Sequence, residues 1–560
     1  MDVANGQTGP RALFPLSHRG SPFLDLCKTA FESLTELMPE GDAARVPSTG
    51  ARYQTYGELV AAYGELPNNP VVSPGDLIGG MTRDFLAGAV NWRSPELQYN
   101  LGAAVNVAAS AMYAVALDTN VYLINDGLAG NVVAAEGAVS HVLARLTDVP
   151  ASQAYGLFTF GGTGTMAYGI KAGLRKCAPE SVRSGTPGDV RVVITEDAHF
   201  SHVAAADWLG IGADQLVVIP ADEQRRSDLR VAEALVRDEL EAGHRVATII
   251  INGGTTYDHV VDDIAAFAEL RDRLTAEYKL RYRPHLHVDS VVGWAWLMLN
   301  DSALSSLEPS SSAADALREQ YRRVRALRSA DSWGVDFHKG VGVCPIDCSF
   351  IQFNDKSDCV RLRKGGSSSA DLHQLAQDFS VVSPVDYTLE TSRAGGKALA
   401  AVASLHSLGR NGYATILARL VDAAIYFRES LGSRNGMAVL NPHALGYQSM
   451  VRLYPPERAP EAHREIHDAA PSTARMVKEG NAYLKAFFAW DNETRMNANG
   501  GGVVYSFSSR YVTTASGEPI SGLKFYPTTP LIGREHMKEA IDLLAERKAA
   551  FDEIWRAGTR

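Results

Sequence analysis

Hydrophobic residues follow two different periods along this chain. Apolar side chains at three- and four-residue spacing predict a helix over 22–37 and further helices between 101 and 147. Between 156 and 345, short continuous apolar runs alternate with helical stretches. The runs are VRVVIT (190–195), QLVVIP (215–220), VATIIINGG (246–254) and HLHVD (285–289). Repeated strand–helix–strand units with uninterrupted apolar strands predict an α/β fold with a mainly parallel central sheet flanked by helices.

The chain length of 560 residues exceeds what one hydrophobic core usually organises, so we expect several structural units. We predict an N-terminal arm and helical segment over 1–120, a large α/β domain over 121–400 and a smaller C-terminal α+β domain over 401–560. The strand-like runs GVVYSFSS (502–509) and LKFYPTTP (523–530), followed by a closing helical pattern, indicate the last of these.

Composition and charge narrow the classes of partner. The formal net charge of -10 disfavours nucleic acid and anionic membrane surfaces. The most apolar stretch, near 102–117, is too short to span a membrane. Five scattered cysteines and a start without a signal-peptide pattern predict a reduced, cytoplasmic protein, and we expect no metal site.

Chemically informative residues fall at the ends of the predicted strands, where open α/β sheets bind ligands. Lys339, in DSWGVDFHKG (331–340), is followed by an apolar run and has no charge next to it in sequence. We expect it to lose solvation and basicity, which suits an amine that condenses with an aldehyde, although most lysines are solvated surface charges. Asp289 ends HLHVD and could cap a helix, bind a metal or hold a pyridinium nitrogen protonated.

Three further motifs lie at similar positions. His199, in ITEDAHFSH (194–202), either begins a helix or stacks on a planar ring. The glycines of GLFTFGGTGTMAYG (156–169) let backbone amides approach an anion at a helix start, which is a phosphate-type signal. The motif matches neither G-x-G-x-x-G nor the GK[ST] of a P-loop, so a nicotinamide or ATP site is disfavoured. NGGTTYDHVVDDI (252–264) gives a weak loop signal alone.

Taken in order, these motifs resemble the group II PLP-dependent amino-acid decarboxylases (PLP, pyridoxal 5′-phosphate). The matching patterns are F-T-x-G-G-T, D-A-H-x-S, G-T-T, H-V-D and D-S-x-x-x-D-x-H-K. The family includes aromatic-L-amino-acid, glutamate and tyrosine decarboxylases, and the sphingosine-phosphate lyases are related to it. NWRSP (91–95), DCSFI (347–351) and ETSRAGGKALA (390–400) extend the resemblance, which covers roughly 90–410.

The resemblance implies a fold and roles around the cofactor ring. The fold is PLP-dependent transferase fold type I, which is aspartate-aminotransferase-like, in a homodimer with active sites at the interface. Lys339 would form the Schiff base with PLP, Asp289 would pair with the pyridine nitrogen and His199 would stack on the ring.

The resemblance also implies contacts to the rest of the cofactor and to the substrate, an L-amino acid. Thr163, Gly164 and His338 would hold the phosphate, and Thr256 or its neighbour Thr255 would lie near the 3-hydroxyl side. Trp92, Tyr99 and Leu101 would line the substrate pocket and favour a neutral aromatic or aliphatic side chain. Arg93, in the same segment, would suit an acidic one, and Arg393 could bind a carboxylate or pair with a local acid.

One departure from the family leaves the reaction open. The mobile loop of these decarboxylases usually supplies a tyrosine that protonates the substrate Cα, but no tyrosine lies between Ser349 and Asp386 here. His373 is an alternative donor, or an ordinary loop histidine. Decarboxylation therefore has three alternatives: a carbon–carbon lyase of the sphingosine-phosphate-lyase type, a decarboxylation-dependent oxidative deaminase, and a catalytically silent PLP-fold scaffold.

Overall fold

In the computed structural model, the apolar runs of the sequence become the strands of a large sheet. The model describes residues 21–38, 43–50, 52–68, 73–307, 310–364, 383–432, 434–456, 458–497 and 502–558. Its strands are β1 (Leu97–Gln98), β2 (Tyr155–Phe160), β3 (Val190–Thr195), β4 (Leu216–Ile219), β5 (Arg245–Asn252), β6 (His285–Asp289), β7 (Ser332–Asp336), β8 (Cys348–Phe353), β9 (Met437–Val439), β10 (Ser449–Leu453), β11 (Val504–Thr513) and β12 (Pro519–Phe525).

Strands β2 to β8 form a seven-stranded sheet in the order β2-β8-β7-β6-β5-β3-β4. Strand β8 runs antiparallel to both of its neighbours, and the remaining pairs are parallel. The mainly parallel sheet predicted from the sequence is confirmed. Its strands are almost fully buried because helices cover both faces.

The helices account for most of the remaining described chain. They are α1 (Pro22–Leu37), α2 (Tyr56–Tyr63), α3 (Pro74–Leu86), α4 (Val107–Asp118), α5 (Asp126–Ala129), α6 (Val132–Leu146), α7 (Gly161–Cys177), α8 (Ser181–Ser184), α9 (Ser201–Trp208), α10 (Leu229–Glu241), α11 (Ile264–Glu277), α12 (Asp301–Ser306), α13 (Ser311–Val324), α14 (Lys356–Val360), α15 (Gly396–Leu431), α16 (Ala462–His467), α17 (Pro471–Asn497) and α18 (Arg534–Gly558). Helix α15 is interrupted at Gly409, where φ is 58°. None of the helices in the described ranges is long and apolar enough to cross a membrane.

Helix α7 packs directly against the sheet at two glycines of its buried face, Gly169 and Gly173. A β-carbon on Gly169 would lie 2.6 Å from Nδ1 of His287 on β6. A β-carbon on Gly173 would overlap the Thr248 hydroxyl and the Ala247 carbonyl of β5. This close packing fixes the position of the helix N-terminus relative to the ends of the strands.

The second sheet has the order β1-β11-β12-β10-β9 and is antiparallel except for the β1–β11 pair. Its last four strands come from the predicted C-terminal unit, while β1 comes from the N-terminal region. Helix α15 crosses the predicted limit between residues 400 and 401. The limits 1–120, 121–400 and 401–560 remain a prediction; the pairing of β1 with β11 also joins the first predicted unit to the last.

Candidate active site

A cavity lies at the carboxyl edge of the parallel strands, beside the N-terminus of α7. It encloses about 580 Å³ of space free of protein atoms, including the open solvent at its mouth. The residues that line it are Gly162, Thr163, Asp197, His199, Ser201, Asn252, Gly254, Thr255, Thr256, Asp289, Val291, Val292, Asp336, His338 and Lys339. The strand-end motifs that are far apart in sequence thus meet at one place.

Asp289, the last residue of β6, is held by a histidine that the sequence reasoning did not assign. His202 Nε2 lies 2.8 Å from Asp289 Oδ2, and the His202 ring is fully buried. Burial favours the protonated acid, but the hydrogen bond and charge of His202, together with Lys339 and His199, hold the pKa of Asp289 well below its usual range. The cavity therefore contains a carboxylate that stays ionised. The only sequence signal for His202 was its place three residues after His199.

Lys339 is not isolated from charge, contrary to the expectation from its neighbours in sequence. Its Nζ lies 2.8 Å from Oδ2 of Asp336, which ends β7 and is fully buried. Burial opposes the ammonium form, but Asp336 and Asp289 outweigh it and raise the pKa of Lys339 above its ordinary value. The expectation of a less basic lysine is wrong because the residue three positions earlier turns back onto it. Ser349 completes this group by donating a hydrogen bond of 2.5 Å to Asp336 Oδ1.

His199 lies on the cavity wall just before α9. Its Nδ1 is 2.8 Å from the Ser201 hydroxyl, and its ring lies 4.1 Å from that of Phe200, centroid to centroid. Burial lowers the pKa of His199 below its ordinary value. The side chain is thus a largely neutral, oriented aromatic ring that faces the same space as Lys339 and Asp289.

The opposite part of the wall suits an anion. Helix α7 begins at Gly161, whose φ of 76° lets the chain turn from β2 directly into the helix. The first amides of a helix have no intrahelical partner and lie at the positive end of its dipole. Thr163 lines the cavity, whereas Gly164 is buried one position further along the helix, against Thr159. His338 also lines the cavity, with its Nε2 3.8 Å from Asp336 Oδ2.

Both threonines that the sequence left as alternatives, Thr255 and Thr256, line the cavity. The Thr256 carbonyl accepts hydrogen bonds from Tyr526 and from Gln448 Nε2, the latter at 2.9 Å. Asn252, at the end of β5, was not assigned from the sequence. Its Oδ1 accepts a hydrogen bond of 3.2 Å from Thr195, and its buried amide nitrogen has no partner among the described residues. A buried donor without a partner is typical of a wall that binds an acceptor group.

The three predicted substrate-pocket residues, Trp92, Tyr99 and Leu101, lie behind the Lys339 turn rather than in the cavity lining of a single chain. Gly340 N donates to the Leu101 carbonyl at 2.8 Å, and Gly102 pairs with Lys339 in an isolated antiparallel bridge. The Trp92 ring packs directly on Gly102. The Arg45 guanidinium lies over the Tyr99 ring, with 5.9 Å between Arg45 Cζ and the ring centroid.

The remaining candidates are not part of this cavity wall. Arg393 is buried and pairs with Glu136, also donating to the Phe158 carbonyl at 2.9 Å, so it pairs with a local acid. Arg93 is exposed. His373 lies outside the described residues, as does half of the segment between Ser349 and Asp386 that lacks tyrosine.

A cluster of metal-ligating residue types occurs at the opposite edge of the sheet. His285, Asp331 and Asp358 are buried there with potential ligand atoms within 4.8 Å of one another. Lys176 Nζ lies 2.7 Å from Asp358 and 3.4 Å from Asp331, and Arg271 lies 3.0 Å from Asp331. Because these cations already neutralise both carboxylates, the cluster is a buried ion-pair network.

Curated proteins named as decarboxylases match part of this chain in sequence. No family model matches the chain. The L-tyrosine decarboxylase of Enterococcus faecium is 29% identical over 255 residues, which are 43% of this chain and 40% of that protein. An acidic amino acid decarboxylase of Bos taurus is 24% identical over 339 residues, 59% of each chain. The match thus spans about two fifths of the tyrosine decarboxylase and less than two thirds of the bovine protein.

Solved structures match over nearly the whole chain. Mouse CSAD in its apo form has a TM-score of 0.73 at 16% identity and covers 94% of this chain and 98% of its own. The TDC of Oryza sativa, solved with PLP and tryptamine, has a TM-score of 0.72 at 15% identity and covers 96% and 99%.

The fold is therefore that of the PLP-dependent enzymes of fold type I, as predicted. Within that class, the sequence is similar to tyrosine, glutamate and acidic amino acid decarboxylases. The predicted resemblance to the group II PLP-dependent amino-acid decarboxylases is confirmed.

Proposed function

We propose that this protein is a PLP-dependent L-amino-acid decarboxylase in which Lys339 binds the cofactor covalently. The observation that carries the proposal is the convergence of Lys339, Asp289 and His199 with the N-terminus of α7 around one cavity. PLP is an aromatic aldehyde that carries a phosphate. Its aldehyde requires an amine, its ring nitrogen a carboxylate, its ring face a flat side chain and its phosphate an anion site.

The cavity wall fits such a cofactor in its charges and its free donors. The first turn of α7, with Thr163 and Gly164, would hold the phosphate together with His338. Asp289 would pair with the ring nitrogen and His199 would stack on the ring. Thr256, or Thr255 beside it, would lie near the 3-hydroxyl side. PLP, when bound, supplies an electron sink for the electron pair that stays on the substrate Cα after CO₂ leaves.

The protein's own groups handle the protons of the lysine. The Lys339 ammonium must lose a proton before its Nζ can act as a nucleophile. Asp336 Oδ2, at 2.8 Å, is the acceptor in contact with it. Asp336 is also held by Ser349 and faces His338, so the acceptor is fixed in position beside the amine.

The charges around the cavity favour a neutral substrate side chain. Among the described lining residues, Asp197, Asp289 and Asp336 carry carboxyl groups and Lys339 is the single lysine or arginine. Burial raises the pKa of Asp197 to about 6, which still leaves it mostly ionised at neutral pH. An acidic side chain would be repelled here. Trp92, Tyr99 and Leu101 do not line this cavity within one chain, so the preference for a neutral side chain rests on the lining charges alone.

Two enzymatic alternatives differ from simple decarboxylation. The oxidative deaminase differs in the step after CO₂ is lost, and the carbon–carbon lyase differs in the bond that breaks. The missing loop tyrosine favours the oxidative deaminase as the second candidate, and one structural relative is named 4-hydroxyphenylacetaldehyde synthase of Rhodiola rosea. The matched curated proteins carry decarboxylase names, so the carbon–carbon lyase alternative is not favoured.

A scan of L-amino acids tests the proposal. The protein is loaded with PLP, and CO₂, amine, aldehyde and hydrogen peroxide are measured for each substrate. We expect equal amounts of CO₂ and amine from a neutral amino acid, loss of both in Lys339→Ala, and retention in Lys171→Ala, which removes a half-buried lysine outside the cavity lining. Aldehyde and peroxide with O₂ consumption would assign the oxidative reaction instead. Absence of PLP binding would leave the silent scaffold.

The proposal includes a homodimer with active sites at the interface, in a cytoplasmic setting. Large apolar side chains are exposed next to the cavity: Phe200, beside His199, is 76% exposed, and Ile346, beside Asp347, is 82% exposed. Asp347 in turn lies against Gly161 at the start of α7. A partner subunit would cover these side chains. All five cysteines are free, which suits a reducing compartment.

A further inference from the structure

The His202–Asp289 pair extends the site behind the cavity wall. His202 lies in the first turn of α9 with its ring fully buried, and its Nε2 is 2.8 Å from Asp289 Oδ2. Asp289 Oδ1 has only a weak contact of 3.5 Å with the Val291 amide. One carboxylate oxygen is therefore held from behind, while the other remains available on the cavity side.

Other titratable groups lie near Asp289 but do not form a hydrogen bond with its carboxylate in the described part of the chain. Lys339 and His199 face it across the cavity. His287, two residues earlier on β6, is buried with its Nδ1 2.8 Å from the Ser332 hydroxyl, and burial lowers its pKa to about 3. Within the described part of the chain, His202 is the one side chain in hydrogen-bonding contact with Asp289.

We infer that His202 is a positioning residue, whose Nε2–H fixes Asp289 Oδ2 and directs Oδ1 at the protonated ring nitrogen of PLP. This inference rests on the proposed function. A buried carboxylate without a donor would take up a proton or turn away, because an unpaired buried charge is costly. The ring nitrogen would then lose the negative charge that keeps its proton in place.

The state of the ring nitrogen can be measured without turnover. The protein is loaded with PLP labelled with ¹⁵N in the ring. The nitrogen chemical shift is then recorded on both sides of neutral pH, from about 6 to about 8.5. In the wild type we expect a protonated nitrogen throughout. In His202→Phe we expect a shift towards the neutral nitrogen, and PLP binding weakened by about tenfold or more in equilibrium dialysis. His202→Gln keeps an N–H donor and should remain close to wild type in both measurements.

His259→Phe is the matched control. It removes another fully buried imidazole, whose nitrogens have no partner in the part of the chain that the structure describes and which does not line the cavity. It should leave the nitrogen signal and PLP affinity unchanged at neutral pH. If His202→Phe does not fold, His202→Leu, with a smaller side chain, takes its place.

The proposed function and the role of His202 fail in different ways. A wild-type protein that does not bind PLP would overturn the proposed function. A wild type that binds PLP with a protonated nitrogen, and a folded His202→Phe that matches it in chemical shift and affinity, would overturn only the role of His202. A folded His202→Gln that loses as much as His202→Phe would also contradict the role of a hydrogen-bond donor.

Discussion

Single buried side chains decide how this site responds to pH and substitution. Two electrostatic pairs hold the charged groups of the cavity. His202–Asp289 joins α9 to the end of β6, and Asp336–Lys339 lies within the turn that follows β7. The sequence motifs contained all four residues, but only Lys339 and Asp289 were given roles, through the resemblance to the decarboxylases. Which neighbour supplies the compensating charge depends on side-chain direction at the end of a strand, and a linear motif does not encode it.

At the residue scale, buried neutral histidines predict acid sensitivity. Burial lowers the pKa of His259 from 6.5 to about 3. The unfolded imidazole takes up a proton below pH 6.5 that the folded one refuses, so the free energy of unfolding falls as the pH drops from 6.5 towards 3. The loss is about 1.4 kcal/mol per pH unit for one such group.

Urea unfolding at pH 7.5 and 5.5 checks this prediction. Between these two pH values, His259→Phe should lose about 1.4 kcal/mol less stability than the wild type. Equal losses in the two proteins would show that His259 does not remain neutral in the fold.

A second residue-scale prediction concerns the ion pair of the lysine. Asp336→Asn keeps the shape of the side chain but removes the carboxylate that lies 2.8 Å from Lys339 Nζ. The pKa of Lys339 should fall, because burial then acts with less opposition. The pH dependence of the rate at which PLP becomes attached should move to lower pH. An unchanged profile would remove Asp336 from this role.

At the scale of elements, the sequence predicted most of the strands and helices around the site. VRVVIT became β3 over the predicted range, and Pro22–Leu37 became α1. Periodicity did not predict that β8 runs antiparallel between β2 and β7, because strand direction depends on the connections and not on the apolar pattern. Nor did it predict β1, a two-residue strand that completes the C-terminal sheet.

The glycine face of α7 gives a prediction for that element. In Gly173→Ala the new β-carbon would overlap the backbone carbonyl of Ala247 on β5, so the helix must move. We expect a loss of about 1–3 kcal/mol in the free energy of unfolding and weaker PLP binding, since the N-terminus of α7 forms the anion site. Gly137→Ala on α6 has open space around the new β-carbon and should be neutral or stabilising by up to about 1 kcal/mol.

At the scale of the whole molecule, the predicted homodimer can be tested directly. Light scattering of the purified protein should give twice the mass of one chain. Phe200→Glu places a charge on the exposed aromatic residue next to His199 and should shift the equilibrium towards single chains with lower PLP affinity. Ile554→Glu, on the exposed side of α18, should leave the mass unchanged. A single-chain mass for the wild type would contradict the dimer.

The proposed attachment of PLP to Lys339 can be tested directly. The protein is incubated with PLP, reduced with borohydride to make the lysine linkage permanent, digested and mapped by mass spectrometry. We predict the mass of the reduced cofactor on the peptide that contains Lys339, and none on any peptide of Lys339→Ala. A cofactor mass on a different lysine, or no cofactor mass in the wild type, would contradict this assignment.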